Sequence, residues 1–188
     1  PPPLAFIICT EPAIESQSRL LVRSIRQFGG ALASAPIVSY SPRPDLRISA
    51  DCAAEFGDPS VTIADEPLTL LFLDSDKVLL DGPSDCLLGP GDEIAVRPAF
   101  HRNIAIDGPG EAESDFWKAL YRSVGSRPVR RIVTTCDFKR VFEYYNSGLI
   151  AARRDRGLFG GSRATFDTNL ARDLRPQDRP YYLDQAPL

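Results

Sequence analysis

LAFIICTEPAIESQSRLLVRSIRQFGGALASAPIVSY, residues 4–40, changes its hydrophobic period twice. Leu4 to Cys9 is an unbroken apolar run, the signature of a strand buried on both faces. Thr10-Glu11-Pro12 ends it. From Ala13 to Phe28, the residues Ile14, Leu21, Val22, Ile25 and Phe28 fall near helical spacing, with Arg19, Arg23 and Arg26 mostly opposite. Gly29-Gly30 stops the helix as a C-cap would. Pro36 to Tyr40 then reads as a second strand. Strand, helix and strand in that order are the βαβ unit of a parallel sheet.

Working outward, the same patterns recur. The spacing predicts a weak helix over Leu46–Phe56, a short strand at Ser60–Ile63 and the strongest buried strand at Leu68–Leu73. Val78–Leu80 continues as an apolar strand, and Ile94–Val96 is another, ending at Arg97-Pro98. Glu113–Val124 is an amphipathic helix with Ser114 as candidate N-cap and Trp117 as a core residue. Arg131–Thr135 and Tyr144–Ala152 are strands. The polar tail from Arg153 carries a helix over Asp167–Leu174. No repeat, low-complexity tract or linker divides the chain. The expectation is one α/β domain over residues 1–188, with a mostly parallel central sheet flanked by helices.

One connection fails physically. Parallel neighbours need a crossover of about a dozen residues or more. Between Ser60–Ile63 and Leu68–Leu73 lie only Ala64-Asp65-Glu66-Pro67. Either the two strands are antiparallel or chain is missing near residues 64–69. The second reading is preferred, with a further missing segment after residue 188. Pro-Pro-Pro at the start and the lack of methionine in 188 residues fit a piece of a longer polypeptide.

Charged residues make up 25% of the chain, hydrophobic ones 43%, and the formal net charge is −3. These values exclude a disordered tail, a coiled coil and a polybasic nucleic-acid wrapper. No apolar run approaches the roughly 18 residues of a membrane helix. Basic residues are 19 Arg against three Lys, Lys77, Lys118 and Lys139, without an Arg cluster. Cys9, Cys52, Cys86 and Cys136 are scattered, which argues against a thiolate zinc site or disulfide framework. Cys9 reads as a small core residue. Free thiols fit a reducing compartment, so the expected location is cytoplasmic, or lumenal if an anchor is missing.

The chemistry concentrates in LFLDSDKVLLD, Leu71 to Asp81. Asp74 and Asp76 sit one residue apart at the carboxyl end of a buried strand, where open α/β sheets place their ligand crevices. Residues i and i+2 of an extended chain point the same way, so both carboxylates can face one cation. Hard oxygen ligands suit Mg²⁺ or Mn²⁺, which in turn bridges phosphates. Asp pairs at strand ends also form solvated turns, and that reading stands beside the first.

The motif resembles two families. In haloacid-dehalogenase-like phosphatases, Asp74-Ser75-Asp76-Lys77-Val78 would supply a nucleophilic Asp74 followed by a general acid. Such chains open with that strand, however, and no GDxxxD pair follows here. The sequence also resembles GT-A-fold glycosyltransferases, whose Rossmann-like fold transfers sugars from nucleotide-diphosphate donors, at four places in order. These are the opening strand with Cys9-Thr10-Glu11, the Leu71–Asp76 stretch, Tyr144-Tyr145-Asn146-Ser147-Gly148-Leu149-Ile150, and Leu183-Asp184-Gln185.

That resemblance implies a metal-dependent glycosyltransferase. Asp74 and Asp76 would hold Mn²⁺ or Mg²⁺, and Thr10, Glu11, Asp74, Ser75 and Arg97 would meet a UDP- or GDP-sugar. Asn146, Ser147, Gly148, Asp184 and Gln185 would face the sugar or an acceptor the sequence does not name. Asp184 would be the catalytic base. Plainer roles stand beside these: a turn residue for Asn146, a helix N-cap for Asp184, a surface ion pair for Arg97. His101, the only histidine, does not match a ligand position. The phosphatase is the first alternative, a catalytically inactive binding module the second. No nucleic-acid partner is expected.

Overall fold

A computed structural model of the chain describes residues 4–41, 45–57, 69–103, 105–108, 110–111, 114–125 and 130–174. It divides into two compact units, residues 1–95 with 148–156 and residues 96–147 with 157–188. The expected strand Ser60–Ile63 and the crossover at residues 64–67 lie outside the described residues.

The first unit is built on the βαβ pattern. Strand β1 (Leu4–Cys9) leads through a 3-10 turn at Pro12–Ile14 into helix α1 (Glu15–Phe28), and then to strand β2 (Ile37–Tyr40). β1 and β2 pair in parallel, with Phe6 opposite Ile37 and Cys9 opposite Tyr40. Helix α2 (Ala50–Phe56) starts at Ser49, whose hydroxyl accepts the Cys52 N–H at 3.2 Å. Strand β3 (Thr69–Leu73) pairs with β1 in parallel, Leu4 opposite Thr69 and Ile8 opposite Leu73.

Alternation sets the core. Phe6, Ile8, Leu71 and Leu73 are buried on one face of the sheet, clustered with Leu21, Val22 and Ile25 of α1 and Cys52 and Phe56 of α2. The helix face differs from the apolar reading at its ends. Ser18 and Ser24 are buried, whereas Phe28 is exposed. Both serines bond main chain: Ser18 Oγ donates to the Ile14 and Cys9 carbonyls, and Ser24 Oγ donates to the Leu21 carbonyl and accepts the Leu79 N–H.

Strand β4 (Ile94–Pro98) ends at Arg97-Pro98 as expected, while Val78–Leu80 forms no strand. Leu80 is 82% exposed, so a short apolar run did not suffice without a pairing partner.

The second unit contains helix α3 (Ser114–Ser123), a hairpin of β5 (Arg131–Val133) and β6 (Arg140–Phe142), and helix α4 (Leu158–Ala171). Its core holds Ala99, Phe116, Trp117, Leu120, Val141 and Tyr144. Trp117 packs edge-on against Phe116 and Tyr144, with ring centroids 5.7 and 5.9 Å apart. Ser114 is the first helical residue, and its buried hydroxyl has no hydrogen-bond partner among the described residues, so it does not cap. β6 had no expectation. α4 replaces the helix expected over Asp167–Leu174, starting nine residues earlier.

Strand β7 (Tyr145–Arg153) completes the main sheet in the order β2-β1-β3-β7-β4. It runs antiparallel to β3, with Leu73 opposite Leu149 and Leu71 opposite Ala151. The sheet is therefore mostly parallel at its β2-β1-β3 side, and the α/β expectation holds.

Candidate active site

The carboxyl ends of β1, β2 and β3 form one row in the first unit. The Thr10 N–H donates to the Tyr40 carbonyl at 2.9 Å, so β1 leaves the sheet beside the end of β2. Ser18 Oγ donates to the Cys9 carbonyl at 3.4 Å, tying the start of α1 to the same place. On the other side, the Asp74 N–H donates to the Gly148 carbonyl at 3.1 Å. Asp74 is thus held at the carboxyl end of β3 by a glycine of β7, two of the expected site residues brought together.

Asp74-Ser75-Asp76-Lys77 closes as a turn, the Lys77 N–H donating to the Asp74 carbonyl at 3.1 Å. Asp76 is exposed, and its Oδ1 accepts the Lys77 ammonium at 2.6 Å. Asp74 is half-buried.

The Cys9 thiol reports on the local field. It is half-buried rather than a closed core residue, and burial, then Glu11, then Asp74 push its pKa up. Two carboxylates from different strand ends therefore act on one thiol, and each opposes a further negative charge there.

Not every expected residue lies in this row. Thr10 stands at the carboxyl end of β1 and is fully buried, its N–H bonded to the Tyr40 carbonyl. Arg97 is exposed on β4, and Asn146 and Ser147 are half-buried on β7; all three belong to the second unit. Asp184 and Gln185 lie outside the described residues. His101 is exposed and stacks edge-on with Phe100 at 5.4 Å. Two residues of the row escaped the sequence reading. Tyr40 places an exposed ring at the end of β2, and Lys77 bonds the Asp-x-Asp itself. Lys77 had a visible signal, being one of three lysines in an arginine-rich chain and adjacent to Asp76.

Asp74 and Asp76 are the carboxylates of this turn that would hold a divalent cation. No group of three His, Cys, Asp or Glu among the described residues is arranged to hold a metal ion by itself. A small hard cation that takes one or two carboxylates and completes its shell with phosphate and water needs no such cage.

Comparison with known proteins places this geometry. The chain matches WbbM, described as a bifunctional glycosyltransferase, at a TM-score of 0.53 and 12% identity, over 87% of this chain and 34% of that one. It matches an active-site mutant of LgtC at a TM-score of 0.52 and 10% identity, over 96% of this chain and 69% of that one. The chain thus spans about a third of the length of WbbM, and both likenesses show a shared GT-A fold. No curated protein matches by sequence. No helix among the described residues is long and apolar enough to cross a membrane. A family model, described as the Rhodobacterales glycosyltransferase domain, matches residues 59–188, the Asp-x-Asp turn and β7 included. On that match the chain belongs to the Rhodobacterales glycosyltransferase domain family.

Proposed function

We propose that this glycosyltransferase domain uses a UDP- or GDP-sugar donor, whose diphosphate lies along the row of strand ends formed by Cys9, Tyr40 and Asp74. The observation that carries this reading is the position of Asp74, held by the Gly148 carbonyl at the carboxyl end of β3 in a parallel sheet. Asp74 and Asp76 would hold Mn²⁺ or Mg²⁺, which supplies positive charge for the departing diphosphate. Ser75, between them on the turn, faces the same ligand.

The chain's own residues do the rest. Glu11 orients the nucleoside, while buried Thr10 holds the turn through its N–H. Asn146 carries both donor and acceptor atoms for sugar hydroxyls, with Ser147 beside it. Gly148 fixes Asp74 through its carbonyl. Asp184 takes the proton of the acceptor hydroxyl, and Gln185 positions that acceptor. Neither the phosphatase nor the inactive module is favoured by the family or the fold.

The test is thermal unfolding with Mn²⁺ plus UDP or GDP. A ligand at 100 times its Kd adds about 2.7 kcal/mol, which raises Tm by roughly 5–10 °C in a chain of this size. Asp74→Asn should abolish the rise while leaving the unliganded Tm within about 2 °C. Hydrolysis of p-nitrophenyl phosphate lost in Asp74→Asn, without nucleotide binding by the wild type, would replace this reading with the phosphatase.

A further inference from the structure

We infer that Lys77 is a built-in counter-ion of the Asp-x-Asp turn, holding the Asp76 carboxylate until a divalent ion binds and then passing to the diphosphate of the donor. The inference rests on the function proposed above and deepens it by giving the turn a resident cation with two alternative partners.

Three observations carry it. First, the ammonium lies 2.6 Å from Asp76 Oδ1, with 39% of the lysine side chain and 62% of the aspartate side chain exposed. A pair so open to water is weak and exchanges readily. Second, the backbone of Lys77 is pinned to Asp74 by its N–H, while its four-carbon side chain carries the charge on rotatable bonds beyond the turn. The charge can therefore move from one carboxylate to a nearby phosphate without moving the turn.

Third, the residue type is the exception in this chain. Arginine holds the carboxylates that tie elements together: Arg19 and Arg23 grip Glu55, and Arg131 and Arg140 grip Asp107. A guanidinium fork binds a carboxylate through two parallel hydrogen bonds and is suited to staying there. An ammonium is a compact point charge on a flexible stem and can trade one anion for another. The turn that must change partners carries lysine.

Calorimetric titration of the whole chain tests this with Mn²⁺ alone and then with UDP and GDP at saturating Mn²⁺. Lys77→Ala should bind Mn²⁺ alone about two- to fivefold more tightly, since its competitor for Asp76 is gone. The same variant should bind the nucleotide roughly tenfold more weakly. Lys77→Arg should keep nucleotide affinity within about threefold. Lys118→Ala, a like change of charge on α3, should move neither quantity. Opposite signs for metal and nucleotide are the signature, because a merely structural lysine would shift both together or neither. Equal affinities in Lys77→Ala, shifts of one sign, or the same pattern in Lys118→Ala would overturn the inference alone. Failure of the wild type to bind Mn²⁺ and either nucleotide would remove the parent reading and Lys77's role with it.

Discussion

Gly29 ends α1 where no other residue fits. Its N–H donates to the Ile25 carbonyl at 2.8 Å, and a β-carbon built there would stand 2.4 Å from that same oxygen. The obstacle is backbone, so it cannot swing aside. Gly29→Ala should therefore cost on the order of 1–3 kcal/mol, read as a Tm lower by roughly 2–12 °C. An unchanged Tm would mean that the α1 terminus relaxes freely. Gly30, next in the chain, adopts a φ of +56°, and so the pair divides two tasks: close approach first, left-handed turn second.

At the scale of elements, α1 and α2 are joined by carboxylates. Glu15 accepts both the N–H and the hydroxyl of Ser49, at 2.6 and 2.7 Å, at the very residue that caps α2. Glu55 of α2 is bonded by Arg23 and Arg19, in that order of effect, and its pKa falls to about 2. A carboxyl depressed in the folded state stabilises above the unfolded value, near 4.5, and its contribution is lost as pH drops from there through about 2. Arg23 is well exposed, so salt screens the effect and its size is modest. Urea midpoints measured from pH 6 to pH 2.5 should fall less steeply in Glu55→Gln than in the wild type. Parallel curves would show the link to be without weight.

Helix α4 tells the opposite story. LFGGSRATFDTNLA places two glycines inside its first turns and scatters its apolar residues around the axis. Nothing lies within 4 Å of a β-carbon built at Gly160 or Gly161. Each change to alanine should therefore stabilise the helix by about 0.5–1 kcal/mol. Trp117 fluorescence, reporting the core of the same unit, should register a later unfolding midpoint in Gly160→Ala and Gly161→Ala. An earlier midpoint would mean that the glycines serve a close approach. α4 packs through Asn169, fully buried with its Oδ1 accepting the Ser123 hydroxyl at 2.9 Å. A helix held by one buried amide and a neighbour's packing carries little periodic signal, which is why its start escaped the sequence reading.

Across the whole molecule, each unit has its own core: Phe6, Ile8 and Leu71 in the first, Trp117, Leu120 and Tyr144 in the second. The sequence by itself determined β1, α1, β2, β3 and β7 and the placing of Asp74 and Asp76 at a strand end. Those features rest on runs and periods within a few neighbouring residues, so local pattern is enough. The Asn146-Ser147-Gly148 stretch was legible for the same reason, since its aromatic entry, glycine and apolar run are contiguous. Only tertiary structure decided that β7 runs antiparallel to β3 and that Val78–Leu80 pairs with nothing. It alone buried Thr10 and set Glu11 and Asp74 about one thiol. The physical reason is the range of the interactions. Register and burial sum contributions from segments 65 to 84 residues apart, as in Leu4 opposite Thr69 and Thr69 opposite Arg153, and no short window along the chain contains both partners.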